Sequence, residues 1–215
     1  MKNTIRVVLV DDQGLFRAGI RMLVDSQSDL EVVGEAADGR EAIAVVRATR
    51  PDVVLMDIRM PVLDGLAATA ELLQDPDPPR IVMLTTFDLD EAAARAIRQG
   101  ASGFLLKDAD PEFLLAAIRT VHAGSAVIAA AATRDLFARF ADAAPAPVPS
   151  TFLTLTERER EIFALAARGL SNAEIAGREF LSEATVKTHI SRILAKLSLR
   201  DRVQLVVFAF EHGLA

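Results

Sequence analysis

Over the first 122 residues two hydrophobic periods alternate along the chain. Short apolar runs rich in Val and Ile read as buried strands: Ile5–Val10, Leu30–Val33, Val53–Met56, Arg80–Leu84 and Gly103–Leu106. Between them apolar residues recur at helical spacing over roughly Gly14–Ser26, Arg40–Arg50, Leu66–Gln74, Asp90–Gln99 and Glu112–His122. Buried strands joined through helices pair in parallel, because each connection crosses back over the sheet. The expected fold class is therefore α/β: a five-stranded, parallel, doubly wound sheet with helices on both faces. Pro111 stands in the first turn of its helix, where a missing N–H removes no hydrogen bond.

After residue 122 the pattern changes. Ala126 to Phe140 is Ala-rich and predicts a helix, and ADAAPAPVPS follows, ending at Ser150. Alternating Pro and Ala stiffens a chain without building a core, so 123–149 reads as a linker. From Thr151 the spacing is helical throughout. Thr156 precedes Glu159 by three residues, and Ser171 precedes Glu174 by three, both the spacing of a capping box. Ser182 is a third N-cap candidate, and Gly169 separates the first two helices. Residues 150–215 are thus expected to form an all-α domain of four helices. No internal repeat is visible.

The residues that follow the strands carry chemistry. Asp11 and Asp12 follow the first, Asp57 the third, Thr85 the fourth and Lys107 the fifth. In a parallel sheet these positions share one carboxyl edge, where open α/β folds bind ligands. Three clustered carboxylates repel one another unless a cation sits among them, and oxygen ligands in an incompletely enclosed site suit Mg²⁺. Such a metal would neutralise a phosphoryl group in transit, with Asp57 as nucleophile and Lys107 and Thr85 holding the phosphoryl oxygens afterwards.

Composition narrows the classes. Cys is absent, which excludes disulfides, thiolate metal sites and Cys nucleophiles and fits a reducing cytoplasm. The N-terminal apolar run spans only six residues before Asp11, too short for a signal peptide or membrane span, so no membrane partner is expected. The net charge of -6 argues against nucleic-acid binding, but residues 1–122 carry 13 basic and 20 acidic groups, whereas 150–215 carry 9 and 8. The rear domain is free to approach phosphates.

The front domain resembles the response-regulator receiver family. The matching stretches are VLVDD (Val8 to Asp12), VLMDIRMPVLDG (Val54 to Gly65), IVMLTTF (Ile81 to Phe87) and GASGFLLKD (Gly100 to Asp108). The resemblance implies a flavodoxin-like fold with Asp57 as phosphoacceptor. It implies that Asp12, Asp57 and the Arg59 backbone carbonyl ligate Mg²⁺, assisted by Asp11, and that Thr85 and Lys107 contact the phosphoryl group. Phe104 takes the switch-aromatic position, often Tyr in relatives; lacking a hydroxyl, it would signal through packing alone. Asp108 stands where many receivers have Pro, so a cis-proline turn is not expected there.

In the rear domain, the third helix, about Ser182 to Leu197, has an apolar stripe of Val186, Ile190, Ile193, Leu194 and Leu197. Lys187, Thr188, Ser191 and Arg192 fall on the other side. A short Ser171–Arg178 helix precedes it, and such a pair can lay its second helix in a major groove. LTERERE (Leu155 to Glu161), LSNAEIA (Leu170 to Ala176) and LSEATVKTHISRILAKLSLRDRVQ (Leu181 to Gln204) resemble the NarL/FixJ family with its LuxR-type helix-turn-helix. By that resemblance Lys187, Thr188 and Ser191 face the groove and Arg192 lies near the backbone. Glu179 departs from the usual apolar residue. Either its helix ends early, releasing the carboxylate to water, or the domain is less stable than its relatives.

The last helix, roughly Arg202 to His212, has more apolar residues than one buried face uses: Val203, Leu205, Val206, Val207, Phe208 and Phe210. That surplus predicts a partner surface. The resemblance implies a homodimer through this helix, contacted by Val203, Val206, Val207 and Phe210, on a two-fold DNA site. The sequence as a whole predicts a transcription regulator served by a sensor histidine kinase, binding double-stranded operator DNA. It would be no enzyme beyond its own phosphorylation and dephosphorylation. Two other readings are a phosphorylation-independent DNA binder, to which Asp12, Thr85 and Lys107 together would be superfluous, and a metal-dependent aspartyl phosphatase. The phosphatases usually carry D-x-D after the first strand, unlike the adjacent Asp11 and Asp12.

Overall fold

The computed structural model describes residues 4–86, 96, 99–124, 127–128 and 146–214. The chain divides into two compact units, 1–133 and 134–215, with the division inside the expected linker. No described helix is long and apolar enough to cross a membrane.

The first unit is a parallel sheet with helices. Its strands are β1 (Ile5–Val10), β2 (Leu30–Ala36), β3 (Val53–Asp57), β4 (Arg80–Thr85), β5 (Gly103–Leu106) and β6 (Val127–Ile128). They lie in the order β2-β1-β3-β4-β5-β6, every pair parallel. The helices are α1 (Gly14–Asp25), α2 (Gly39–Thr49), α3 (Gly65–Leu72) and α4 (Pro111–His122). Alternate residues of the central strands, Val7, Leu9, Val53, Leu55, Val82, Leu84 and Leu105, pack with Val24 of α1 and Leu114, Ile118 and Val121 of α4. The intervening residues, among them Val8, Val54, Met56, Ile81 and Met83, are buried too and point to the opposite face by strand alternation. There α3 places Thr69 Oγ1 3.5 Å from Met83 Sδ. Both faces are covered, which is why these strands read as unbroken apolar runs.

Two expectations are corrected. β2 runs on to Ala36, beyond the apolar run, because Gly34 and Glu35 pair with Val8 and Leu9 of β1 across a register shift. Gly34 carries no Cβ, and one built there would stand 2.6 Å from Val45 Cγ1 of α2. The Ala-rich helix does not start at Ala126: Val127 and Ile128 pair with Gly103 and Phe104 as a sixth strand, since β5 would otherwise leave an open edge. The rest of that helix lies outside the described residues. So does the helix expected over Asp90–Gln99, apart from Ala96 and Gln99, which are helical.

Among its described residues the second unit holds a 3₁₀ turn (Ser150–Thr154) and four helices: α5 (Glu157–Ala167), α6 (Asn172–Glu179), α7 (Glu183–Leu197) and α8 (Arg202–Glu211). Both capping boxes form, with Thr156 and Glu159 on α5 and Ser171 and Glu174 on α6, and Ser182 caps α7. The core joins Ile162 and Phe163 of α5, Ile175 of α6, Val186, Ile190, Ile193 and Leu197 of α7, and Leu205 and Phe208 of α8. The Ala146 N–H donates to the Glu211 carbonyl at 2.7 Å, so this unit includes the end of the expected linker.

Candidate functional site

Asp57 closes β3 with a side chain that is almost fully buried. Asp11 and Asp12 follow β1, and one carboxylate oxygen from each of Asp11, Asp12 and Asp57 lies within 4.8 Å of the others. Asp11 and Asp57 are buried, while Asp12 is exposed. The sheet brings these residues together because β1 and β3 are neighbours in register, Val10 facing Met56.

Lys107, just past β5, spans two of the carboxylates. Its Nζ lies 2.7 Å from Asp11 Oδ2 and 2.9 Å from Asp57 Oδ2, with 6 % of the lysine side chain exposed. The Phe16 ring of α1 lies beneath it, 5.0 Å from Nζ to the centroid. Burial pushes the Asp57 carboxyl above the usual range, against the pull of Lys107. Burial also works against the Lys107 charge, but hydrogen bonds to Asp11 and Asp57 outweigh it and raise the ammonium above its ordinary value.

The other expected residues surround this cluster. Thr85 ends β4, one residue beyond Leu84, the register partner of Asp57. Its carbonyl accepts the Lys107 backbone N–H at 2.7 Å, which ties the lysine to the strand end. The Arg59 N–H points at Asp57 Oδ1 from 3.4 Å. Phe104 is fully buried in β5, paired in register with Met83. The donor set fits a hard divalent cation: the ligands are all oxygen, and the exposed Asp12 leaves one side open to water.

Gly65 was not among the expected site residues. Its N–H donates to the Ile58 carbonyl at 2.9 Å, turning the chain back after β3. A Cβ there would stand 1.9 Å from the Asp57 carbonyl oxygen. Only glycine lets α3 begin so close to the acidic cluster. The available signal was the Asp64–Gly65 pair, in which Asp64 caps α3 by accepting the Ala67 N–H.

In the second unit, Lys187, Thr188, Ser191 and Arg192 are all exposed on α7, opposite its buried stripe, as the spacing predicts. The far end of α7 is anchored inward: Lys196 Nζ lies 2.6 Å from Glu159 Oε2 and 3.2 Å from the Thr154 carbonyl. Lys196 holds Glu159 at about 2, well below the usual carboxylate range. Glu179 does not escape to water. It is the last residue of α6, and Arg158 bonds both its carboxylate and, at 3.0 Å, its carbonyl. Pairing replaces the expected escape to water, and Phe180 beyond it is left-handed and 95 % exposed.

Val203, Val206 and Val207 are buried within this chain and Phe210 is partly buried, so the apolar surplus is not an exposed face. The segment entering at Ala146 runs to the end of α8. There it meets Glu211 and, at 3.2 Å, His212 Nδ1.

With both sites described, comparison with known proteins decides the family. Residues 7–119 match the response regulator receiver domain, and residues 153–209 match the bacterial regulatory proteins of the luxR family. The chain belongs to the LuxR-type response regulators. It is 42 % identical over 214 residues to YxjL of Bacillus subtilis (strain 168), an uncharacterized transcriptional regulatory protein, covering 99 % of this chain and 98 % of that one. It is 39 % identical over 211 residues to the response regulator protein VraR of Staphylococcus aureus (strain NCTC 8325 / PS 47), covering 98 % and 99 %. Among solved structures, the response regulator ChrA of a heme-sensing two-component system aligns with a TM-score of 0.55 at 36 % identity, covering 99 % of this chain and 100 % of that one. This response regulator is accordingly a two-component transcription regulator, with a receiver domain and a LuxR-type DNA-binding domain.

Proposed function

We propose that Asp57 accepts a phosphoryl group from a sensor histidine kinase and that this event controls binding of double-stranded operator DNA by α7. The observation that carries the reading is the buried Lys107 ammonium bridging Asp57 and Asp11 beside the exposed carboxylate of Asp12. An Asp57 carboxylate oxygen attacks phosphorus, the P–N bond of the phosphohistidine breaks, and an acyl phosphate forms as the imidazole leaves. Lys107 then exchanges a carboxylate oxygen for a phosphoryl oxygen, and Thr85 supplies a hydroxyl at the neighbouring strand end. Asp11, Asp12, Asp57 and the Arg59 carbonyl would hold Mg²⁺, which when bound neutralises charge on the phosphoryl oxygens. Phe104, buried in β5, would carry the change into the packing of the receiver.

On the DNA side, Lys187, Thr188 and Ser191 meet base edges or phosphates in the major groove, and Arg192 meets the backbone. The domains, 1–122 and 150–215 by sequence, are joined by 123–149, of which Val127–Ile128 pair with the receiver sheet and Ala146 with Glu211. The protein acts in the cytoplasm, and two copies pair on a two-fold site. The valines of α8 are not assigned to that pairing, since they are buried already. Linkage limits the gain: phosphorylation raises DNA affinity only as far as it favours the DNA-competent arrangement, typically by about 1–3 kcal/mol.

The test selects genomic DNA fragments with the full chain, with and without acetyl phosphate. Wild type should enrich a discrete set more strongly once phosphorylated, and Asp57→Ala should not respond. Equal response by both, or no enrichment by either, would overturn the reading.

A further inference from the structure

Arg17, in the first turn of α1, reaches back to the loop that carries Asp11 and Asp12. Its Nη1 donates to the Asp11 carbonyl at 2.6 Å, and its Nε donates to Glu35 Oε2 on β2 at 3.0 Å. Glu35 also takes Arg21, one turn further along α1. The Asp11 carbonyl is one of three anchors on that residue. Its N–H donates to the Ala36 carbonyl at 3.1 Å, and its Oδ1 accepts the Gln13 N–H at 2.8 Å. The amide, carbonyl and side chain of Asp11 are therefore held by β2, by α1 and by the loop itself. The Asp11–Asp12 peptide is planar, so fixing the Asp11 oxygen also fixes the nitrogen and Cα of Asp12. Asp12 is the exposed member of the acidic cluster and has the least of its own packing to orient it.

We propose that Arg17 is a positioning residue of the acidic loop, fixing the Asp11 carbonyl so that Asp12 presents its carboxylate beside Asp57, and that Glu35 keeps Arg17 in that role. The charge balance explains the second part. A guanidinium stays charged at any working pH, and this one reaches the loop that carries the Asp11 and Asp12 carboxylates. Left unpaired, it would turn toward them and oppose a divalent cation by simple repulsion. Glu35 neutralises Arg17 through Nε and leaves Nη1 for a neutral acceptor, the Asp11 carbonyl. The inference rests on the Mg²⁺ reading above. It adds two residues outside the ligand set on which that binding depends.

A mere staple between α1 and β2 would alter stability but not metal affinity, and calorimetric titration of the full chain with MgCl₂ separates the two. Arg17→Ala should bind Mg²⁺ about 10- to 100-fold more weakly, the usual cost of losing a group that orients a ligand. Arg17→Lys keeps the charge but not the two-pronged reach and should fall on the same side. Glu35→Gln should also weaken binding, and the double variant should be no worse than Arg17→Ala alone, because the two act as one unit. Thermal melts without metal report any staple effect separately. A lowered melting temperature with unchanged Mg²⁺ affinity overturns the proposal. If Arg17→Ala does not fold, Glu35→Gln decides it, since full affinity there is equally contrary. Asp12→Ala is the control. If it matches wild type, the metal site itself falls and takes this inference with it; if only Asp12→Ala is weakened, the site stands and Arg17 has no role in it.

Discussion

The Lys107 ammonium lies 2.9 Å from Asp57 and 2.7 Å from Asp11, joining the ends of β1, β3 and β5 across the carboxyl edge of the sheet. All three side chains are nearly dry, and the ammonium and the carboxylates offset one another's charge. Removing one partner of a buried pair leaves an uncompensated charge, at a cost of about 3–5 kcal/mol. Lys107→Met should therefore lower receiver stability by about that amount in metal-free buffer. Mg²⁺ should then restore more stability to the variant than it adds to wild type, because a ligand of the folded state alone stabilises by mass action. Urea unfolding with and without MgCl₂ checks both parts.

Gly65 carries a steric prediction. A Cβ at this position would stand 1.9 Å from the Asp57 carbonyl oxygen, a backbone atom with no rotamer to escape into. Gly65→Ala should destabilise the receiver by about 2–3 kcal/mol and displace the end of β3. Urea unfolding measures the first effect, and loss of Asp57 labelling by acetyl phosphate in the still-folded fraction measures the second.

Glu159 makes the DNA-binding unit acid-sensitive. Lys196 and the Thr156 N–H hold its carboxyl at about 2, below its ordinary 4.5. A depressed carboxyl contributes stability that is complete above its unfolded value and is lost as pH falls through the folded one. Melting of α5 and α7, followed by NMR, should therefore drop between pH 4.5 and pH 2. Lys196→Met should flatten that slope. An unchanged slope in the variant would remove the ion pair from the account.

Val206 and Val207 on α8 are buried within the chain, so a charge at either should act on folding. Val206→Glu should destabilise the second unit by several kcal/mol, about the penalty for an unpaired buried charge after relaxation. DNA binding should be lost through unfolding, with the circular dichroism melt shifting alongside it. A variant that melts like wild type yet fails to pair on DNA would instead restore α8 as a contact between copies.

Much of this was legible in the sequence, for reasons that differ by region. The central strands β1, β3, β4 and β5 are almost wholly buried, so composition alone marks them, and their carboxyl ends converge because parallel pairing allows nothing else. Asp11, Asp12, Asp57, Thr85 and Lys107 could be placed together on that ground. The capping boxes of α5 and α6 are local patterns and form as their spacing dictates. What escaped depends on contacts between distant segments. Arg17 looks like one more charge on a helix face until β2 supplies Glu35. Glu179 looks misplaced until Arg158, 21 residues earlier, pairs with it. The valines of α8 look surplus because periodicity counts apolar residues but cannot say how many sides of a helix are covered.

The central claim is that Asp57 carries the phosphoryl group, and intact-mass measurement tests it most directly. Full-length protein is incubated with MgCl₂ and acetyl phosphate and weighed beside Asp57→Ala. Wild type should gain the mass of a single phosphoryl group, labile to hydroxylamine as an acyl phosphate is, and the variant should gain none. Equal labelling of both proteins, or a wild-type adduct that resists hydroxylamine, would contradict it.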